Sequence, residues 1–176
     1  LPRLKYFIEN SANQYAKFLA ASALKQLLTD HWHNIQLEEK SAIRRYLLSY
    51  LMSESAVLTH DKQVVKMMML LLARITKMGW FDDPEIKNSI VPELTKILDQ
   101  KNAAHRLVGF EALDQLIMEM TYMTQTKNLS LNRRVSLNFR DVALYQIFNN
   151  NLKYVANLTT LLQQDINSGN FESLIL

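Results

Sequence analysis

The sequence predicts an all-α protein, and three observations carry that expectation. Only three glycines and three prolines occur in 176 residues, far too few for the turns of a β-rich chain. Leu, Ala, Lys, Gln, Glu and Met, which lose little side-chain entropy in a helix, are plentiful. Apolar residues recur at three-and-four spacing in one segment after another, each long enough for several helical turns.

Residues 2–9 read as the last turns of a helix whose beginning lies upstream. Residues 10–13 break it, with Ser11 the expected cap of the next helix. Over 14–30, Ala16, Leu19, Ala20, Ala23, Leu24, Leu27 and Leu28 share one face, and 31–36 reads as a loop with a half-buried Trp32. The segment 38–52 turns Ile43, Leu47, Tyr50 and Leu51 inward and Lys40, Ser41, Arg44, Arg45 and Ser49 outward. The segment 61–78 is apolar around much of its circumference, as in a helix buried on two sides. At its end Gly79 is expected to adopt the left-handed conformation that closes a helix. Trp80 and Phe81 are expected to plug the corner, and Asp82 or Asp83 to cap a helix opening at Pro84. That helix carries Ile86, Ile90, Val91, Leu94, Ile97 and Leu98, and Pro92 predicts a kink or restart near 88–89. The segment 103–123 turns Leu107, Phe110, Leu113, Leu116, Ile117 and Met120 inward. After a polar loop and a short helical turn over 131–139, Asp141 opens a long helix to about Asp165, which Ser168, Gly169 and Asn170 end.

These helices pair off at a spacing of roughly 40 residues, the range of HEAT-type repeats. The expected division is the end of a first repeat at 1–10, further repeats at 12–54, 60–101 and 103–167, and 168–176 as a tail or lead into another repeat. Such units cannot bury their faces alone, so they stack into a curved solenoid. One helix of each pair then lies on the convex side and its partner lines the concave side. The expected architecture is an α-solenoid of HEAT-type antiparallel helix pairs, a right-handed superhelical arch over 1–170 and a fragment of a longer repeat protein. A compact bundle of six or seven helices is the alternative.

The chain has no cysteine, which removes a disulfide framework and a cysteine zinc site. Its formal charge is +3, with 20 basic and 17 acidic residues interleaved. No block of like charge offers a nucleic-acid tail or a membrane anchor. The longest apolar run, 67–73, falls far short of the roughly 20 residues that cross a bilayer. His31 and His33 could share a metal, but His60 and His105 fall on other predicted helices and no carboxylate cluster joins the pair. There is no nucleophile elbow and no glycine-rich phosphate loop. Met67, Met68 and Met69 read as core, and Arg133 with Arg134 as a solvated pair. The residues point to no enzyme and to no metal or cofactor.

Four segments carry a resemblance. ARITKMGWFD at 73–82 resembles the third-repeat junction of the exportin-7/Ran-binding protein 16 branch of the importin-β superfamily of nuclear transport receptors. YAKFLAASAL at 15–24 resembles the first helix of that family's second repeat, and IRRYLLSYL at 43–51 the helix after it. NFRDVALYQIF at 138–148 resembles the segment that opens a long fourth-repeat helix. The resemblance covers about 1–155 and implies the amino-terminal arch of an exportin-like receptor that shuttles between nucleus and cytoplasm through the nuclear pore. It implies Ran in its GTP form, protein cargo and nucleoporins as partners, with no direct nucleic acid and no membrane insertion. The arch's concave helices would meet Ran and couple it to cargo binding or release. By periodicity the Ran-facing candidates are Lys40, Arg44, Arg45, Ser49, Lys87, Glu93 and Lys96. Another branch of the superfamily (exportin-4-like or an importin) and a Ran-independent helical-repeat scaffold are the alternatives.

Overall fold

The computed structural model describes residues 2–53, 62–100, 102–122 and 129–168, and among these there is no strand. The helices are α1 (Pro2–Asn10), α2 (Gln14–His31), α3 (Leu37–Leu51), α4 (Lys62–Gly79), α5 (Pro84–Leu98), α6 (Ala103–Thr121), α7 (Leu129–Phe139) and α8 (Tyr145–Ser168). Trp32–Asn34 forms a 3₁₀ turn after α2, and Arg140–Leu144 a π-helical segment between α7 and α8.

The helices form two layers. In the first, α2 packs on α4 and α4 on α6; in the second, α3 meets α5, and α5 meets the π segment and α8. Three second-layer helices also pack against the first-layer helix that follows them: α1 on α2, α3 on α4, α5 on α6. This recurrence makes the chain an all-α, HEAT-type solenoid rather than a closed bundle. α4 has neighbours on both sides, and its Val64, Val65, Met68, Met69, Leu71, Leu72 and Ile75 are all buried, as its nearly continuous apolar surface requires.

Local chemistry places the helix ends. Asn13, not Ser11, caps α2, its Oδ1 accepting from the amides of Tyr15 and Ala16; Ser11 Oγ instead accepts from Asn13 N–H. Asp83 caps α5 by accepting from Glu85 N–H, with Pro84 at the first helical position. Gly79 is not left-handed. It remains helical, and its value is closeness, because a Cβ there would lie 2.7 Å from Ile86 Cδ1 and 3.5 Å from the Trp32 ring. Trp32 is fully packed rather than half-buried, at 2% exposure. α5 runs through Pro92 without restarting. Pro92 and Asn88 are both exposed, so the carbonyl left unpaired by the ring lies on the solvent side. Leu19, Leu27 and Leu107, expected inward, point to solvent.

The short helical turn over 131–139 and the separate helix expected to open at Asp141 are instead one continuous rod from α7 through the π segment to α8, roughly 60 Å long at about 1.5 Å per residue. Val135, Phe139, Ala143 and Ile147 are all buried, each four residues after the last. In a regular helix three such steps would rotate the buried face by about 120°. A π turn absorbs one extra residue and reduces that drift to about 20°, keeping the four on the core.

A candidate protein-docking face

The second layer presents one broad exposed face, built from the outward stripes of α3 and α5. On α3 the stripe is Glu38, Ala42, Arg45 and Ser49; on α5 it is Glu85, Asn88, Pro92 and Lys96. An open groove of about 530 Å³ runs between α1 and α3, lined by Lys5, Glu9, Arg45, Tyr46 and Ser49 among others. A smaller depression of about 330 Å³ lies between α3 and α5, lined by Glu38, Ser41, Arg45 and Glu85 among others. Arg45 lines both openings, so an exposed guanidinium stands at the middle of the face. Sequence spacing marked Arg45 and Ser49 but missed the wall that α1 supplies through Lys5 and Glu9. Lys5 Nζ stacks 4.6 Å above the Tyr46 ring. Burial, reinforced by Glu9 and Tyr50, raises the Tyr46 phenol above its ordinary value, leaving it a neutral group at the base of the groove.

The other candidates divide into two kinds. Lys40 is half-buried over the Trp32 ring at 4.9 Å, and Lys87 over the Phe81 ring at 4.4 Å. Lys96 is exposed. Arg44 is nearly all buried, at 3% exposure, and only borders the depression between α3 and α5. Its Nη1 donates to Ser89 Oγ at 2.6 Å and to Glu93 Oε2 at 2.9 Å. Arg44 therefore ties α3 to α5 and holds the face together from behind, and it is no longer a contact candidate. Glu93 is committed to the same joint. Burial raises its carboxyl above the ordinary range, against the opposing pull of Arg44.

The first layer has a matching joint. Arg74 Nε on α4 pairs with Glu119 Oε1 on α6 at 3.3 Å. Lys77 Nζ donates to the carbonyls of Glu119 and Tyr122 at 2.7 and 2.8 Å, closing the end of α6 from a neighbouring helix. Burial lowers the Lys77 ammonium below its usual value, Glu119 opposing. The corner after α4 is anchored too: Trp80 is fully buried against Phe139, and the Phe81 ring lies against both Lys87 and Arg134. Apart from neighbouring Phe81 and Lys87, the residues meeting across these joints lie 42 to 59 positions apart in sequence.

Among the described residues no group of three His, Cys, Asp or Glu side chains is placed to hold a metal, and no helix is long and apolar enough to cross a membrane. His31 and His33 are exposed, His105 is buried in α6, and His60 lies outside the described residues. What the face offers is two adjoining openings with an exposed arginine on the border of both.

Residues 1–53 match the importin-beta N-terminal domain family. The chain is 31% identical over 151 residues to exportin-7-A of Xenopus laevis, covering 84% of this chain and 14% of that protein. It is 30% identical over 154 residues to Ran-binding protein 16 of Drosophila melanogaster, covering 84% of this chain and 13% of that protein. Exportin-1 of Schizosaccharomyces pombe is 26% identical over 132 residues, 69% of this chain and 12% of that protein. The chain thus spans about a seventh or less of the curated relatives it matches. No solved structure gives a significant match.

Proposed function

This chain belongs to the importin-β superfamily, with its likeness on the exportin-7 and Ran-binding protein 16 side, and from that premise we propose that it forms the Ran-binding amino-terminal arch of an exportin-like nuclear transport receptor. The observation that carries the proposal is the similarity to a named Ran-binding protein across 84% of the chain, together with the family match at 1–53.

The geometry supplies a means. Arg45, Ser49 and Lys96 stand on one exposed face, while Arg44 with Glu93, and Lys77 with the end of α6, fix the spacing of successive units behind it. A partner that spans α3 and α5 senses that spacing. Ran in its GTP form, binding the face, stabilises one curvature of the arch, and that preference reaches cargo sites elsewhere in the receptor as a population shift. Cargo and nucleoporin contacts belong, on this reading, to other repeats, and the receptor shuttles between nucleus and cytoplasm. The role is one of binding, and no catalytic step is assigned to it.

A pull-down comparing Ran loaded with a non-hydrolysable GTP analogue against Ran–GDP tests the proposal. Retention of the GTP form alone is the expected result. Equal retention of both forms, or of neither, refutes it.

A further inference from the structure

Arg133 and Arg134 lie in α7, and the function proposed above gives them no part. Both are exposed, and among the described residues no carboxylate pairs with either. Arg134 touches only an aromatic ring, with its guanidinium carbon 4.9 Å from the centre of Phe81. Between Glu119 and Asp141 the chain carries four basic residues and no acidic one. Ser136 follows three residues after Arg133 and two after Arg134, and the exposed Leu137 comes next. Of all the serines and threonines in the sequence, Ser136 alone has a basic residue at both of those preceding positions.

This pattern has a chemical reader. A guanidinium forks onto a carboxylate with two hydrogen bonds, so a kinase that presents carboxylates to the two residues before its target selects such a segment by charge. An apolar residue just after the target fills an apolar slot, and Leu137 has no core role to leave. The hydroxyl is also uncommitted. Thr76, Thr121 and Thr159 each donate to the carbonyl four residues back, whereas among the described residues nothing meets Ser136 Oγ.

A kinase takes its target segment extended, so α7 has to open from its amino-terminal end. Residues 129–134 have no buried side chain. Opening as far as Leu137 withdraws one buried side chain, Val135, and parts Arg134 from Phe81, while Phe139 stays in the core. Local opening on that scale is ordinary for the end of a short helix. We propose that Ser136 is a phosphorylation site for a serine/threonine kinase that selects arginines at the second and third positions before its target. Ser136 Oγ attacks the γ-phosphorus of ATP, the bond from that phosphorus to the β-phosphate oxygen breaks, and ADP leaves. The hydroxyl proton passes to the kinase's catalytic carboxylate. This inference does not depend on Ran binding.

Once α7 closes again, the phosphate has partners waiting. Arg133 three residues before and Arg140 four residues after share its flank of the helix, and both are exposed. Arg140 Nε now meets Asp141 Oδ1 at 3.2 Å in an exposed pair, which gives way readily to a more highly charged phosphate. The two guanidiniums then hold the phosphate and tighten α7.

The test incubates the folded 176-residue chain with ATP and the catalytic subunit of the cyclic-AMP-dependent kinase, beside a free peptide of residues 129–140. Peptide mass spectrometry locates the phosphate. Phosphate at Ser136 of the folded chain is the expected result, lost in Ser136→Ala. Arg133→Gln/Arg134→Gln should lower kcat/KM at least about tenfold, since two charge-assisted pairs are removed. Phosphorylation of the peptide but not of the folded chain overturns the proposal, and so does an unchanged kcat/KM in the double variant. Hydrogen exchange tests the hold on the phosphate: amides of α7 should exchange at least about threefold more slowly after phosphorylation. Arg140→Gln should remove part of that slowing. Unchanged or faster exchange in the phosphorylated chain overturns the arginine clamp.

Discussion

The indole Nε1 of Trp80 donates a hydrogen bond to Asn138 Oδ1 at 2.9 Å, and the same indole meets the Phe139 ring edge-on at 5.6 Å between centroids. Two segments that carry family resemblance, 73–82 and 138–148, therefore touch each other in space. The corner after α4 locks onto the long rod one residue before the π segment begins, so this contact sets where the rod lies against the solenoid.

Trp80→Ala should cost about 3–5 kcal/mol of unfolding free energy through the cavity it leaves. Trp80→Phe, which keeps a ring but leaves the Asn138 oxygen without its donor, should cost about 1–3 kcal/mol. Urea denaturation of the three proteins checks both. Partner binding should fall only in proportion to the unfolded fraction, because neither Trp80 nor Phe81 belongs to the docking face.

Gly79→Ala should destabilise by at most about 1 kcal/mol, because the overlap of the new methyl with Ile86 Cδ1, the end of a buried side chain, is partly offset by the helix propensity alanine gains. Ile86→Val removes that atom, so the double variant should recover part of the loss. A double-mutant cycle by thermal or urea unfolding measures the coupling, and simple additivity would show that the close approach is not the reason for glycine.

Lys77→Met deletes the donor that closes α6 while keeping the apolar stem. Two carbonyls lose their partner, and the expected loss is about 1–3 kcal/mol. Hydrogen exchange should rise first in the last turn of α6, where Glu119 and Tyr122 sit.

How much of this was legible in the sequence follows from the range of each interaction. Helices and caps depend on residues within one or two turns, and Ile43, Leu47 and Leu51 or the Asp83-Pro84 start could be read directly. Arg44 could not: on its own helix it looks like one more outward cation. Its acceptors, Ser89 and Glu93, lie 45 and 49 residues later. Gly79 suggested a left-handed cap because that is a local property of glycine, whereas its actual constraint is Ile86 and Trp32 arriving from other elements. The π segment hides for a related reason. Val135, Phe139, Ala143 and Ile147 reveal it only once their common burial is known. The docking face was half legible, since α3 and α5 positions follow from periodicity but the contribution of Lys5 and Glu9 requires knowing that α1 lies beside α3.

Glu93 supplies a pH test of the second-layer joint. Its folded-state pKa lies above its unfolded value, chiefly through burial. The group's contribution to stability is then fully present below the ordinary carboxylate range and lost as pH rises through the folded value. Comparing wild type with Glu93→Gln by urea unfolding between pH 7 and pH 4, the difference should move in favour of the wild type on acidification. Movement the other way would show that the Arg44 ion pair, rather than burial, dominates.

On the proposed function, Ran in its GTP form binds the exposed face centred on Arg45. The most direct measurement is an equilibrium titration of Ran carrying a non-hydrolysable GTP analogue against wild type and an Arg45→Glu/Lys96→Glu variant, with thermal unfolding of both. Binding by the variant is expected to be at least about tenfold weaker, corresponding to about 1.4 kcal/mol or more, at an unchanged melting temperature. Undiminished affinity in a folded variant would contradict it.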